Sequence, residues 1–414
     1  MRRGKSWCIN AALGVLSLAV AIGATLSVDR MVGHVFSPMP SQVHEGLIFR
    51  PGTERSFMSV DFRYTARANS LGLREREIAE ATPGVYRIAG LGDSFTYGWG
   101  VQQEATWLRQ LEINLRQRGL NVETVNCGDP GTGPPVYAGL AAKVIPALKP
   151  DLVIVALFQG DDLASSRLRE PQGNEMWVAR QARRTFPNFA RLVEKHLHMG
   201  HVGPAQPAPG PPPKLDSVED NRRLAAKRAK AFLDALTPEQ RQRFDRLEDA
   251  VKTAYLNGEL NPYMIRLAMK FPAAYTFTLN LDDSRVKTLI QHLAGCLARI
   301  KALSEKEGAN VIAVSVPHGP YVNEHAFRNV RRVGFDTNAA MLTTEAPDTA
   351  FRLACAQAGL PFFDVTRGFR EERQQPGLYF ELDGHFTAAG HKLFADLLAP
   401  LLVDSIRAAA QEGS

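Results

Sequence analysis

The chain has 414 residues, of which 45% are hydrophobic and 22% are charged, and it carries a formal net charge of +6 at pH 7. This length exceeds that of a usual single domain, so we expect two domains or one core domain with a large insertion. The composition excludes a disordered chain and a multi-span membrane protein. The 49 basic residues are nearly balanced by 43 acidic ones, and no basic stripe is interleaved with aromatic residues. We therefore expect no nucleic-acid partner.

The N-terminus combines positive charge with an apolar run. Three cations in MRRGK precede the uncharged span SWCINAALGVLSLAVAIGATLSV, which approaches the roughly 20 residues that cross a bilayer as a helix. By the positive-inside rule, we expect residues 1–30 to form a single-pass anchor in the cytoplasmic membrane, with the body of the chain exported to the periplasm or its equivalent. A signal peptide cleaved after Ala21 is the alternative, although it would leave an apolar stub at residues 22–28.

After an N-terminal extension at residues 31–84, apolar strands alternate with amphipathic helices. The strand segments are VYRIAGLGDS, NVETVNCG, PDLVIVALFQGDD, ANVIAVSVPHG and LPFFDV, and helical periodicity lies between them and in a closing segment that begins at AAGHKLF. Such alternation predicts a parallel sheet with right-handed crossovers. We therefore expect a three-layer α/β/α sandwich of flavodoxin-like type, formed by residues 85–163 and 300–414.

Residues 164–299 differ from both halves of this core. HVGPAQPAPGPPPK is a proline-rich linker of the stiff, extended kind, and the segment that follows it is charged and helical. We interpret this region as a helical insertion whose charged residues form a solvated helix face. No partner for the insertion is identified from the sequence.

One serine lies in a turn after the first core strand. In GDSFTYGWG, Ser94 comes at the carboxyl edge of the predicted sheet, where ligands bind in such folds. A nucleophilic serine requires a base and a site for the oxyanion. Asp383 and His385, just before the last helix, offer a carboxylate that can orient an imidazole toward Ser94.

These segments, in this order, resemble the blocks of the SGNH, or GDSL-type, hydrolase superfamily. The resemblance covers roughly residues 62–163 and 311–402 and implies that Ser94 is the nucleophile, His385 the base and Asp383 the orienting acid. It further implies an oxyanion hole made by the backbone N–H groups of Ser94 and of Gly131, the latter in VNCGDPGTG. NSLGLR, residues 69–74, is similar to a segment that precedes the GDS block in many bacterial members.

The third block departs from the family pattern. In FQGDDL, Asp161 occupies the place of the asparagine that is the third oxyanion donor in the family. An ionised carboxylate cannot donate a hydrogen bond. Three alternatives are open: Asp161 is protonated, Gln159 supplies the amide, or two backbone donors suffice.

Other chemistry is not indicated. The glycines around Ser94 fit neither the GxxxxGK(S/T) nor the GxGxxG spacing of phosphate-binding loops. The widely spaced cysteines fit no zinc site. We therefore expect no cofactor and no metal. Free buried thiols are favoured over a disulfide between Cys296 and Cys355. We expect His318 to lie in a loop near the mouth of the site, and His391 to be structural.

The resulting hypothesis is a serine-dependent acyl-ester hydrolase acting outside the cytoplasmic membrane through an acyl-serine intermediate, with an acyl ester or acylated carbohydrate as substrate. Two alternatives are an O-acyltransferase acting on an envelope polysaccharide, and a non-catalytic carbohydrate-binding relative. Composition reveals neither the acyl group nor the acceptor.

Overall fold

The computed structural model describes residue 27 and residues 46–79, 84–167 and 218–412. The predicted membrane segment, apart from Ser27, and the proline-rich linker lie outside these residues. No helix in the described part of the chain is long and apolar enough to span a bilayer. Apart from Ser27, the described residues belong to one compact unit that spans residues 44–168 and 215–414.

In the described part of the chain, seven strands form two separate sheets. In chain order the strands are β1 (Glu54–Met58), β2 (Arg63–Arg67), β3 (Tyr86–Gly92), β4 (Val122–Gly128), β5 (Leu152–Phe158), β6 (Asn310–Val316) and β7 (Phe362–Phe363). The first two pair as an antiparallel hairpin. The other five form a sheet of order β4-β3-β5-β6-β7, in which every pairing is parallel. The predicted α/β fold with a central parallel sheet is thereby confirmed.

Helices occupy the segments between these strands. They are α1 (Ser94–Tyr97), α2 (Trp107–Gln117), α3 (Pro134–Leu148), α4 (Asp162–Ser165), α5 (Val218–Asp234), α6 (Pro238–Asp245), α7 (Asp249–Leu256), α8 (Pro262–Lys270), α9 (Ser284–Lys306), α10 (Glu324–Arg332), α11 (Ala346–Ala358), α12 (Thr366–Glu371) and α13 (Ala388–Glu412).

The central strand β5, LVIVALF, is buried along its whole length. Its side chains alternate between two hydrophobic cores, as the twofold repeat of a strand requires. Val153, Val155 and Leu157 pack in the core shared with α3, α9 and α11. Ile154 and Ala156 pack in the core shared with α2 and α13. Helices therefore cover both faces of the sheet, which explains why β5 is apolar throughout.

Helices α5 to α8 of the insertion share a third hydrophobic core with the segment around α10. Helix α9 behaves differently, because its apolar face joins the core on one side of the sheet. The boundary that the sequence predicts at residue 299 falls inside this helix. Amphipathic periodicity does not show which of two neighbouring cores a helix covers, so the sequence could not place this boundary.

Candidate active site

Ser94 is the first residue of α1 and follows β3 almost directly. The Asp93 carboxylate caps this short helix by accepting a hydrogen bond from the Phe95 N–H at 2.9 Å. The end of β4 lies against the same turn, since a Cβ atom on Gly128 would come within 2.1 Å of the Tyr97 nitrogen. Glycine at this position therefore allows the turn that carries Ser94 to pack on the neighbouring strand.

Arg74 holds the far side of this turn. Its guanidinium is buried and donates hydrogen bonds to the carbonyl oxygens of Tyr97, Gly98 and Val101 at 2.6–2.7 Å. It also lies 5.0 Å from the ring centre of Tyr64 and 4.6 Å from that of Tyr97. A planar five-donor group suits this role, and NSLGLR thus contributes a positioning residue that the sequence did not assign.

The structure brings Ser94, His385 and Asp383 into one hydrogen-bonded chain. The His385 Nε2 atom lies 2.7 Å from the Ser94 Oγ atom, and the His385 Nδ1 atom is hydrogen-bonded to the Asp383 carboxylate. The imidazole also packs against the ring of Phe95, with 4.6 Å between ring centres. This is the arrangement in which an imidazole can take a proton from a serine while a carboxylate fixes its orientation.

Two residues distant in sequence fix the Asp383 carboxylate and its backbone. The Trp99 indole N–H donates to Asp383 Oδ2 at 3.2 Å. The Asp61 carboxylate, in the turn between β1 and β2, accepts the backbone N–H groups of Leu382 at 2.9 Å and Asp383 at 2.8 Å. Asp61 could not be identified from the sequence, because no local motif links it to a loop more than 300 positions away.

The two predicted backbone donors of the oxyanion hole are unpaired. Neither the Ser94 N–H nor the Gly131 N–H donates a hydrogen bond to another described residue. Gly131 follows β4 and has a φ of +75°, which favours glycine, and a Cβ atom there would meet nothing within 4 Å. Both groups are therefore free to bind an oxyanion.

In the third block, the structure excludes Gln159 as a free donor. Its side-chain amide donates at 2.8 Å to both the Asp348 carboxylate and the Thr366 hydroxyl, and its Oε1 atom accepts the His318 N–H at 3.0 Å. The Asp161 side chain, by contrast, forms no hydrogen bond with another described residue, and its Oδ1 atom is buried. One of the three alternatives raised by the sequence is thus removed.

Burial and mutual charge alter the acid–base properties of the site. Burial and the neighbouring Asp93 raise the pKa of Asp161 to about 7, against the opposing influence of His385. Burial also raises the pKa of Asp93 to about 6, although His385 lowers it. Burial lowers the pKa of His385, but the Asp383 carboxylate and the hydrogen bond to it outweigh burial and raise the pKa above its ordinary value.

Comparison with solved structures finds matching chains at low identity. The chain is 12% identical to a putative lipolytic protein of the G-D-S-L family from Desulfitobacterium hafniense, covering 76% of this chain and 99% of that one with a TM-score of 0.32. It is 13% identical to a family 3 carbohydrate esterase from Clostridium thermocellum, over 79% and 99% of the two chains, with a TM-score of 0.35. A lipase/acylhydrolase from Enterococcus faecalis matches at 13% identity, over 77% and 96% of the two chains, also with a TM-score of 0.35.

No family model matches the chain, and no curated protein matches it. The roles proposed below for individual residues therefore depend on the geometry of this chain.

The insertion reaches the loop that carries Asp383 and His385. Met264 of α8 has its terminal methyl group 3.9 Å from the position of a Cβ atom on Gly384, between Asp383 and His385. Met264, Gly384 and His318 line one small cavity of about 10 Å³. The expectation that His318 lies at the mouth of the site is wrong, because its side chain is buried among the rings of Phe158 and Tyr275.

Other singled-out residues have structural contacts. His391 is buried, and its Nδ1 atom accepts the Trp107 N–H at 3.2 Å. Cys127, Cys296 and Cys355 are buried free thiols. Within the described segments, no group of three or more His, Cys, Asp or Glu side chains is arranged to hold a metal ion.

Proposed function

We propose that this chain is a serine-dependent acyl-ester hydrolase of SGNH type that works through an acyl-Ser94 intermediate. The observation that carries the proposal is the hydrogen-bonded chain from Asp383 through His385 to Ser94. It supplies a nucleophile, a base and an orienting acid within direct contact distance. The proposed substrate is an acyl ester, and an O-acylated carbohydrate is the form to be tested first.

In the acylation step, the Ser94 Oγ atom attacks the ester carbonyl carbon while His385 Nε2 takes the hydroxyl proton. The carbonyl oxygen becomes an oxyanion, which the N–H groups of Ser94 and Gly131 bind. When the tetrahedral intermediate collapses, the bond to the alcohol breaks and the proton on His385 passes to the leaving oxygen. Asp383 stabilises the imidazolium that forms between these two steps.

In the second step, water attacks the acyl-serine carbonyl carbon while His385 takes one of its protons. Collapse of the second intermediate releases the acid and returns the proton to Ser94. A sugar hydroxyl in place of this water would make the same intermediate an acyl donor. The nature of the acceptor is therefore a measurable property of the second step.

Covalent labelling and turnover test this proposal together. A fluorophosphonate probe should label the wild-type protein, and an activated acetyl ester should be hydrolysed. Ser94→Ala should lose both properties, whereas Ser405→Ala, a matched change on the closing helix, should retain them. Undiminished hydrolysis by folded Ser94→Ala would rule out the mechanism.

Product analysis with an oligosaccharide present distinguishes hydrolysis from transfer. Release of free acid without acylated oligosaccharide supports the hydrolase, and formation of an acylated oligosaccharide would establish an O-acyltransferase. Ligand binding without turnover or labelling would indicate a non-catalytic relative.

We further propose that the domain acts outside the cytoplasmic membrane, held there by residues 1–30. The support is the three cations followed by an uncharged apolar span in the sequence. A reporter fused after Asp29 should be active only outside the cytoplasm, and the full chain should stay with membranes after a high-salt wash. A soluble form that begins near Ile22 would show that the segment is a cleaved signal.

A further inference from the structure

Asp161 stands where strand β5 delivers a side chain to the active-site edge of the sheet. It follows Phe158, the last residue of β5, by three positions and precedes helix α4. Because β5 pairs in parallel with β3, the chain leaves both strands at the same edge, where β3 delivers Ser94. The Asp161 carbonyl oxygen accepts the Ser165 N–H at 2.7 Å, but the Asp161 carboxyl group does not cap helix α4.

Asp161 is half-buried, and its carboxyl group lacks the partners that an anion shielded from water requires. Its Oδ1 atom is buried and accepts no hydrogen bond from any residue that the structure describes. The adjacent Asp162 shows the contrast, because its carboxyl group accepts the Phe158 N–H at 2.8 Å and the Tyr137 hydroxyl at 2.9 Å. An ionised carboxylate left buried without a donor is costly, whereas a protonated carboxyl group can itself donate.

Most of the groups that interact electrostatically with Asp161 disfavour its ionised form. Asp93 at the end of β3 disfavours its negative charge, and the nearby Asp162 adds another acid. Tyr137 of α3, with Tyr263 and Tyr275 of the insertion region, brings phenols whose pKa burial raises and which carry no positive charge. His385 opposes these effects only when its imidazole is protonated, and its Nδ1 atom is already bonded to Asp383.

We propose that Asp161 is the third oxyanion donor of this enzyme: its carboxyl group is protonated in the active form and donates its O–H to the oxyanion of the tetrahedral intermediate. This inference rests on the proposed function. The proton stays on Asp161 throughout, because the contact is a hydrogen bond, and the proton that moves during acylation is the one that His385 takes from Ser94. The site thus replaces an amide donor with an acid.

Such a donor works only over a limited pH range. His385 must be neutral to act as a base, so activity rises as the pH passes upward through the pKa of His385. Asp161 must keep its proton, so activity falls as the pH rises past about 7, where Asp161 ionises. Because the two groups interact, both limbs belong to the pair, and the active form holds a proton on Asp161 while His385 is neutral.

The test compares the pH dependence of kcat/KM for an activated acetyl ester in the wild type and in Asp161→Asn from pH 5 to pH 10. An asparagine amide donates a hydrogen bond at every pH, so the variant should lack the alkaline limb. At pH 9 it should exceed the wild type by up to the hundredfold to thousandfold that is typical of one oxyanion donor. Near pH 6 the two rates should agree to within about tenfold.

Asp161→Ala gives a second and independent readout. It should be slower than the wild type by about a hundredfold near pH 6, and the difference should shrink toward pH 9, where the wild type has lost its donor as well. Asp151→Asn is the matched control, because Asp151 precedes the opposite end of β5 and its carboxyl group accepts the Arg87 N–H at 2.6 Å. That variant should keep the wild-type profile.

Four results would overturn the inference. An equal gain for Asp161→Asn at every pH would mean that Asp161 is an ionised, inhibitory group. A loss at every pH would mean that the carboxylate itself is required. An unchanged profile would mean that the side chain faces away from the oxyanion, and an alkaline limb that persists would assign that limb to another group such as Asp93. Phosphonate labelling of Ser94 in each variant separates these results from failure of the proposed function.

Discussion

Two loops bring carboxyl groups near His385, and the two carboxyl groups have opposite surroundings. The loop before α13 surrounds Asp383 with donors, namely the His385 imidazole and the Trp99 indole, and Asp61 fixes its backbone. The loop after β5 places Asp161 where no donor among the described residues reaches its carboxyl group. Hydrogen-bond donors favour the charged form of an acid, and burial without donors favours the neutral form. The same residue type can therefore support a cation in one loop and donate to an anion in the other.

Substitutions in the triad should have the largest effect on kcat. Asp383→Asn should reduce kcat by about 10⁴-fold, because it removes the charge that supports the imidazolium and the acceptor that fixes the tautomer. His385→Ala should lose more, about 10⁶-fold, because the base itself is gone. Single-turnover and steady-state assays on both variants show which variant loses more activity. Equal losses would mean that Asp383 mainly stabilises the fold.

The next largest effect concerns the backbone of the Asp383 loop. Asp61→Ala leaves the N–H groups of Leu382 and Asp383 without their acceptor, a loss of about 1–3 kcal/mol that corresponds to a fall in kcat of roughly tenfold to a hundredfold. Asp61→Asn retains an oxygen acceptor and should recover most of the activity. Asp336→Ala serves as a surface control. If Asp61→Asn is as impaired as Asp61→Ala, charge rather than hydrogen bonding is what this position supplies.

A smaller effect is expected from the indole that donates to Asp383. Trp99→Phe removes one donor but keeps a ring against Phe57 and Tyr64, which lie 5.2 and 5.9 Å from the Trp99 ring centre. The bond is long at 3.2 Å, so kcat should fall only about tenfold, with KM unchanged. A rise in KM without loss of kcat would assign Trp99 to substrate binding instead.

The smallest expected effect is on stability. The folded protein holds the Asp161 proton up to about pH 7, whereas the ordinary pKa of this group is 3.8. The unfolded state therefore binds fewer protons between these values, so Asp161 makes the protein progressively less stable as the pH rises through this window. Asp161→Asn abolishes that contribution, and its melting temperature relative to the wild type should increase by about 2 °C or more between pH 5 and pH 8. A difference independent of pH would contradict this titration.

Local patterns in the sequence predict the elements of the sheet and the triad. The uninterrupted apolar run of β5 and the glycine-bounded turn at Ser94 depend on neighbouring residues, so the sequence exposes them directly. Arg74, Trp99 and Asp61 could not be assigned in this way, because each acts through contacts with segments that lie between 23 and 322 positions away. The sequence also shows an acid at position 161, but only the fold shows that its carboxyl group has no hydrogen-bond partner in the described part of the chain.

The hydrogen bond between Asp61 and the Asp383 loop has a consequence for the biosynthesis of this chain. It joins residues 322 positions apart, and His385 follows Ser94 by 291 positions. At a synthesis rate of roughly 5–20 residues per second, Ser94 exists for about 15–60 s before its base is made. Throughout that interval the nascent chain carries an unactivated alcohol, so the ester cleavage that we propose requires the late loop of Asp383 and His385 to dock on the early hairpin.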